Sequence, residues 1–151
     1  MTLGRAILFG TLTVGALDLA DALIFFGLRG ASPIRICQSI AAGLLGRNSF
    51  TGGLPTAALG VALHFFIAFV VVLTYCFAST KLRFLTDHAL LCGPLYGWVV
   101  YVTMNFAVIP LSAANRAPFS WPVLINGLLI HAVGVGLPSA LFARAAVPPG
   151  N

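Results

Sequence analysis

Polar positions are so sparse in this chain that its pattern is set by where the apolar runs are interrupted. Four apolar stretches of spanning length emerge, roughly residues 4–28, 55–79, 88–110 and 122–144, parted by segments richer in Gly, Pro, Ser, Asn and basic residues. Each is near the ~20 residues that a helix rising about 1.5 Å per residue needs to cross about 30 Å of hydrocarbon. The runs lack the period-2 alternation of strands, and a backbone amide in lipid has to be bonded within its own segment. The pattern therefore predicts an all-α polytopic membrane protein, a bundle of four transmembrane helices forming one domain over residues 1–151.

The segment between the first two spans is more than a linker. In "ASPIRICQSIAAGLLGRN", Ser32 is placed to cap a helix, Pro33 suits its first turn and Gly46 ends it, giving a helix over about 33–46 that is too short to span. Arg35, Gln38 and Ser39 are helically spaced against Ile34, Ile36, Ile40 and Leu44, so this helix is expected to lie in the interface or to re-enter towards the bundle. "RNSFTGGLP" then turns the chain, and Pro55 suits the start of the second span. The other connections, "TKLRFLTD" and "LSAANRAPFSW", are short, and Trp121 at the end of the latter reads as an interfacial anchor. The first stretch also resembles a secretory signal, with Arg5, an apolar run and Ala20-Asp21-Ala22 as an A-x-A site. The run resumes at once as "LIFFGL", however, and an aspartate flanks Ala20 on each side, which favours an uncleaved span.

Composition agrees with the pattern: 60% hydrophobic residues, 7% charged residues and a mean hydropathy of +1.03 exclude a water-soluble domain. The net charge of +5 comes from basic residues scattered among the loops that never form a patch, which points to anionic lipid headgroups and not to nucleic acid. With both termini cytoplasmic, Arg5, Lys81, Arg83 and Arg144 lie inside and Arg29, Arg35, Arg47 and Arg116 outside, a tie. The tight Lys81/Arg83 pair in a short loop tips the orientation to N-in, C-in. Cys37, Cys76 and Cys92 have no metal-ligand or C-x-x-C spacing.

Against this background "GALDLADALIFF" stands out, because it sets Asp18 and Asp21 inside a span. Residues three or four apart share a helical face. Each span then offers one small or polar stripe: Thr11, Gly15, Asp18 and Ala22; Thr56, Gly60, His64 and Ala68; Gly93, Gly97, Tyr101 and Asn105; Gly127, His131, Gly134 and Pro138. Such stripes let membrane helices approach closely, and the glycines, including the GxxxG of "GPLYG", are read first as packing. Counted from the middle of each span, Asp18, Tyr101 and His131 fall about 3 Å from the midplane, His64 about 5 Å, Asp21 about 8 Å, and Asn105 and Asn126 about 9–10 Å. All are displaced towards the 29–54 segment, where Arg35 and Gln38 are expected to cover the mouth of a pocket.

An ionisable side chain within a span is by default a functional hypothesis, since a lone charge near the bilayer centre costs several kcal/mol. Two carboxylates a turn apart also repel, so one is expected to carry a proton unless His64, His131 or Arg35 supplies a cation. The expectation is an intramembrane site for a proton, an ion or a small polar ligand, built from Asp18, Asp21, His64, Tyr101, Asn105, Asn126 and His131. Two alternatives stand beside it. Asp18, Asp21, His64 and His131 are candidate metal ligands, or the two histidines could clamp a haem; or the chain is a structural or accessory subunit of a homo-oligomer or larger membrane complex, with the polar residues forming a satisfied buried network. No H-E-x-x-H, C-x-x-C-H or nucleophile signature names a reaction, so no catalytic residue is assigned and the reading is a binding or transport role rather than an enzyme.

The runs "SPIRICQSIAAGLLG", "LGVALHF", "YVTMNFAVIPLSA" and "NGLLIHAVGVGLP" resemble an uncharacterised family of small four-span bacterial inner-membrane proteins, over nearly the whole chain. The resemblance implies a bacterial inner membrane and a four-helix fold, and carries no functional residue with it.

Overall fold

The computed structural model describes residues 1–115 and 117–147, so Arg116 of the charge count and the C-terminal Asn151 lie outside the described residues. The described chain is helical throughout, with no strand. It comprises α1 (Leu3–Gly27), α2 (Pro33–Leu45), α3 (Gly53–Lys81), α4 (Phe84–Asp87), α5 (Ala89–Leu111) and α6 (Trp121–Ala146), with a 3-10 turn at Gly46–Thr51 between α2 and α3. The four long helices α1, α3, α5 and α6 are each long and apolar enough to cross a membrane, which marks a multi-pass membrane protein. Their bounds fall within three residues of those read from the hydropathy pattern.

The caps explain several boundaries. The Thr2 hydroxyl accepts the Arg5 amide at the start of α1, and Ser32 does the same for Arg35 at the start of α2, so two otherwise orphaned donors are satisfied. Gly46 takes φ +59° where α2 stops, a conformation that glycine adopts without penalty. Two irregularities were not legible in the hydropathy pattern: α5 passes through a π-helical turn at Met104–Val108, and α6 through another at His131–Gly136. Each ends two residues before a proline, Pro110 and Pro138. Proline removes one backbone donor and crowds the carbonyl four residues earlier, and widening the preceding turn relieves both.

Successive long helices run antiparallel, as their contacts show. Gly10 of α1 lies against Val72 of α3 and Gly15 against Phe65, while the Met1 amino group donates to the Ala145 carbonyl at the far end of α6 (3.2 Å). The glycine stripes of α5 and α6 meet backbone to backbone: a Cβ on Gly97 would collide with the His131 carbonyl, and one on Gly136 with the Gly93 carbonyl. These glycines are packing residues, as expected of small-xxx-small faces. The dry core, with Val14, Val72, Tyr75, Cys76, Ala89 and Ala140, occupies the half of the molecule away from α2. Leu8, Phe9, Leu12, Phe66, Phe69, Trp98 and Phe106 point outwards, an apolar perimeter that suits lipid and would aggregate in water.

α2 departs from its expected orientation. Its buried face is Ile36, Cys37, Gln38, Ala41 and Ala42, whereas Ile34 and Leu44 are exposed. The reason is Gly60 of α3, whose missing side chain lets the Cys37 carbonyl come into backbone contact, so α2 is clamped to the second long helix by its small residues. An amphipathic count could not anticipate that a glutamine would face inwards.

Candidate functional site

The residues singled out in the sequence form neighbouring pairs in the half of the molecule near α2. Asp21 of α1 accepts a hydrogen bond from the Asn126 side-chain amide of α6 at 2.7 Å, joining the first and last long helices. His64 of α3 lies 2.9 Å through Nε2 from the Gly15 carbonyl of α1, and His131 of α6 lies 2.9 Å through Nδ1 from the Gly127 carbonyl one turn back. A carbonyl can only accept, so both ring nitrogens carry their protons there, leaving Nδ1 of His64 and Nε2 of His131 for any other partner. The rings of Tyr101 and His131 meet edge to face with centroids 5.2 Å apart, and Gly127 gives the Tyr101 ring its space. Asn105 turns back on its own helix, donating to the Tyr101 carbonyl at 2.9 Å.

Asp18 is half-buried on the same face of α1 and has no hydrogen bond or ion pair among the described residues. Thr11, two turns further down that stripe, has a buried hydroxyl without a partner. The stripe on α3 does not act as a unit: Thr56 and Gly60 serve α2, and His64 serves α1.

Arg35 and Gln38 are placed away from these pairs. Gln38 is buried, and its amide donates to the Gly53 carbonyl (3.0 Å) and the Thr56 hydroxyl (3.3 Å), stitching α2 to the first turn of α3. Arg35 is exposed, with its guanidinium 4.4 Å from the centre of the Phe50 ring. Among the described residues no three His, Cys, Asp or Glu side chains gather as a ligand set.

A cavity of about 680 Å³ opens beneath α2, between the end of α1, the middle of α3, the second half of α5 and the start of α6. Its wall is mostly apolar, with Phe26, Ile67 and Met104, and its polar groups include those of Ser39, Tyr101 and Asn105. Tyr101 and Asn105 thus belong to both the cavity wall and the predicted site. The other five residues do not line it, although along their helices they lie level with Tyr101 or nearer to α2. Phe26 is five residues beyond Asp21 on α1 and Leu124 two before Asn126 on α6, so the Asp21–Asn126 bond lies within roughly 3–8 Å, along each helix, of a wall residue. Ser112, Asn115 and Ser120 also line the cavity. Their signal was the polar run "LSAANRAPFSW", which reads as a plain loop, whereas the Ala113 amide near its start bonds to the Gly43 carbonyl of α2 (2.9 Å).

Comparison with known protein families, with curated proteins and with solved structures finds no match to this chain. The geometry therefore carries the functional argument alone.

Proposed function

We propose that the chain is a four-span bundle of a bacterial inner membrane, with both termini cytoplasmic, α2 in the opposite interface, and a site beneath α2 that binds a small polar ligand, an ion or a proton. The observation that carries this reading is the cavity of about 680 Å³ with Tyr101 and Asn105 in its wall. Its size is in the range of about 300–1,000 Å³ typical of small-molecule sites, and its make-up, an apolar wall with a few polar groups, is theirs too. Tyr101 connects that wall to His131, Asp18 lies at about the depth of Tyr101, and the Asp21–Asn126 bond lies within about a turn and a half of Phe26 and Leu124 of the wall. A ligand resting on Tyr101 would feel the two carboxylates in a low-dielectric setting, where charges act over longer distances than in water. The family resemblance supports the bacterial inner membrane, and the Lys81/Arg83 pair supports the orientation.

The test is native mass spectrometry of the purified protein, with metal analysis and an optical spectrum. A non-protein mass or a bound ion is expected in the parent and absent from Tyr101→Leu/Asn105→Leu, at unchanged helix content. A parent of bare polypeptide mass, without ion and with stability independent of added ions and pH, would favour the second reading, a structural or accessory subunit. That reading draws on the pairwise satisfaction of Asp21, Asn126, His64 and His131, which is what a register-fixing network requires.

A further inference from the structure

A second hollow, of about 270 Å³, lies at the opposite end of the molecule between α3, α4 and α5. Its floor is Tyr75, only 1% exposed, and its rim is formed by the exposed side chains of Thr74, Phe84, Leu95 and Val99, so it opens sideways to the surroundings of the helices. Along α5 the lining runs from Cys92 to Val99, about 10 Å of helix, which makes it a slot rather than a bowl.

No polar atom in this slot is on offer. The Tyr75 hydroxyl donates to the Leu85 carbonyl (3.0 Å), Tyr96 to Val71 (2.8 Å) and Thr74 to Val70 (2.7 Å), while the Cys92 thiol points at the Phe84 carbonyl (3.8 Å). An occupant gains nothing there from a hydrogen-bonding group and everything from hydrocarbon. The mouth is different. Lys81 lies one turn beyond Ala78 of the slot on α3, and Arg83 immediately precedes Phe84 of its rim. Both are exposed, with no ion pair among the described residues, and Asp87 is the one acidic residue in the connecting segment.

From the apolar floor and the basic mouth we infer that this slot holds one acyl chain of an anionic diacyl lipid whose phosphate lies at Lys81 and Arg83. The inference rests on the membrane setting and is independent of any ligand in the cavity beneath α2. Each basic residue beside anionic headgroups is worth about a factor of five in binding, so the pair should prefer an anionic to a zwitterionic lipid by on the order of 25-fold.

The experiment adds dioleoyl phosphatidylglycerol or dioleoyl phosphatidylcholine to delipidated full-length protein in detergent, with retained lipid read by native mass spectrometry. Alkylation of Cys92 is followed in parallel, with the buried Cys37 and Cys76 as internal controls. One phosphatidylglycerol should be retained preferentially, and should slow Cys92 alkylation. Lys81→Gln/Arg83→Gln, at two exposed positions, should abolish the preference without loss of stability, and Ala78→Phe should abolish the protection of Cys92 by filling the slot. Equal retention of the two lipids, or a preference untouched by Lys81→Gln/Arg83→Gln, would overturn the headgroup assignment. Preferential retention without protection of Cys92 would place the lipid elsewhere and overturn the slot.

Discussion

Asp18 and Asp21 are three residues apart, yet the structure gives them different circumstances and hence different expected behaviour. Asp21 holds Asn126 across two helices, so Asp21→Leu strands a part-buried amide and should cost about 1 kcal/mol, most of it recovered in Asp21→Leu/Asn126→Leu. Asp18 has no such partner among the described residues, so Asp18→Asn should leave the thermal midpoint in detergent unchanged while abolishing binding of whatever the native spectrum reveals. If Asp18→Leu kept both stability and binding, the carboxylate would be neither site nor network. Thr11 offers a control of opposite sign. Its hydroxyl is buried and unpaired, so Thr11→Val, nearly identical in shape, should raise stability in the same assay.

At the level of elements, contacts between backbones decide which substitutions are tolerated. Gly97 and Gly136 bring α5 and α6 together closely enough that any side chain meets a carbonyl. Gly97→Val should therefore lower the unfolding midpoint by the equivalent of about 1–3 kcal/mol or more, whereas Gly4→Ala, with open space around it, should be neutral or slightly stabilising. Gly60 plays the same part for α2. Because its Cβ would strike the Cys37 backbone, Gly60→Val should lever α2 off α3 and make the buried Cys37 alkylate faster. Unchanged Cys37 reactivity would show that the rest of the α2 interface holds the helix without that contact.

For the whole molecule, the division of labour is between a dry half, with Val72, Tyr75 and Ala140, and a half near α2 where the polar pairs and the larger cavity lie. Which compartment that polar half faces follows from topology. A reporter fused after Asn151 should be cytoplasmic, and one inserted near Thr51 should be on the far side. The opposite pattern would turn the cavity to the cytoplasm without moving it within the bundle.

The four long helices, their limits and the capped short helix after the first were legible in the sequence, because burial in lipid demands apolar length and capping demands particular residues at particular places. The polar residues that line up near α2 were legible for the same reason: depth along a helix is a matter of counting. Which of them touch was not. Side-chain partners depend on helix rotation, and the π turns before Pro110 and Pro138 shift that rotation away from a 3.6-residue period, so that Gly136 meets α5 while Gly134 lies against Ile130 and Leu17. The inward turn of Gln38, the bond from Asn126 to Asp21 and the cavity wall built from the loop after α5 are decisions of the tertiary structure. Each joins residues from different helices, and no local rule acting within one helix can choose among the faces of another.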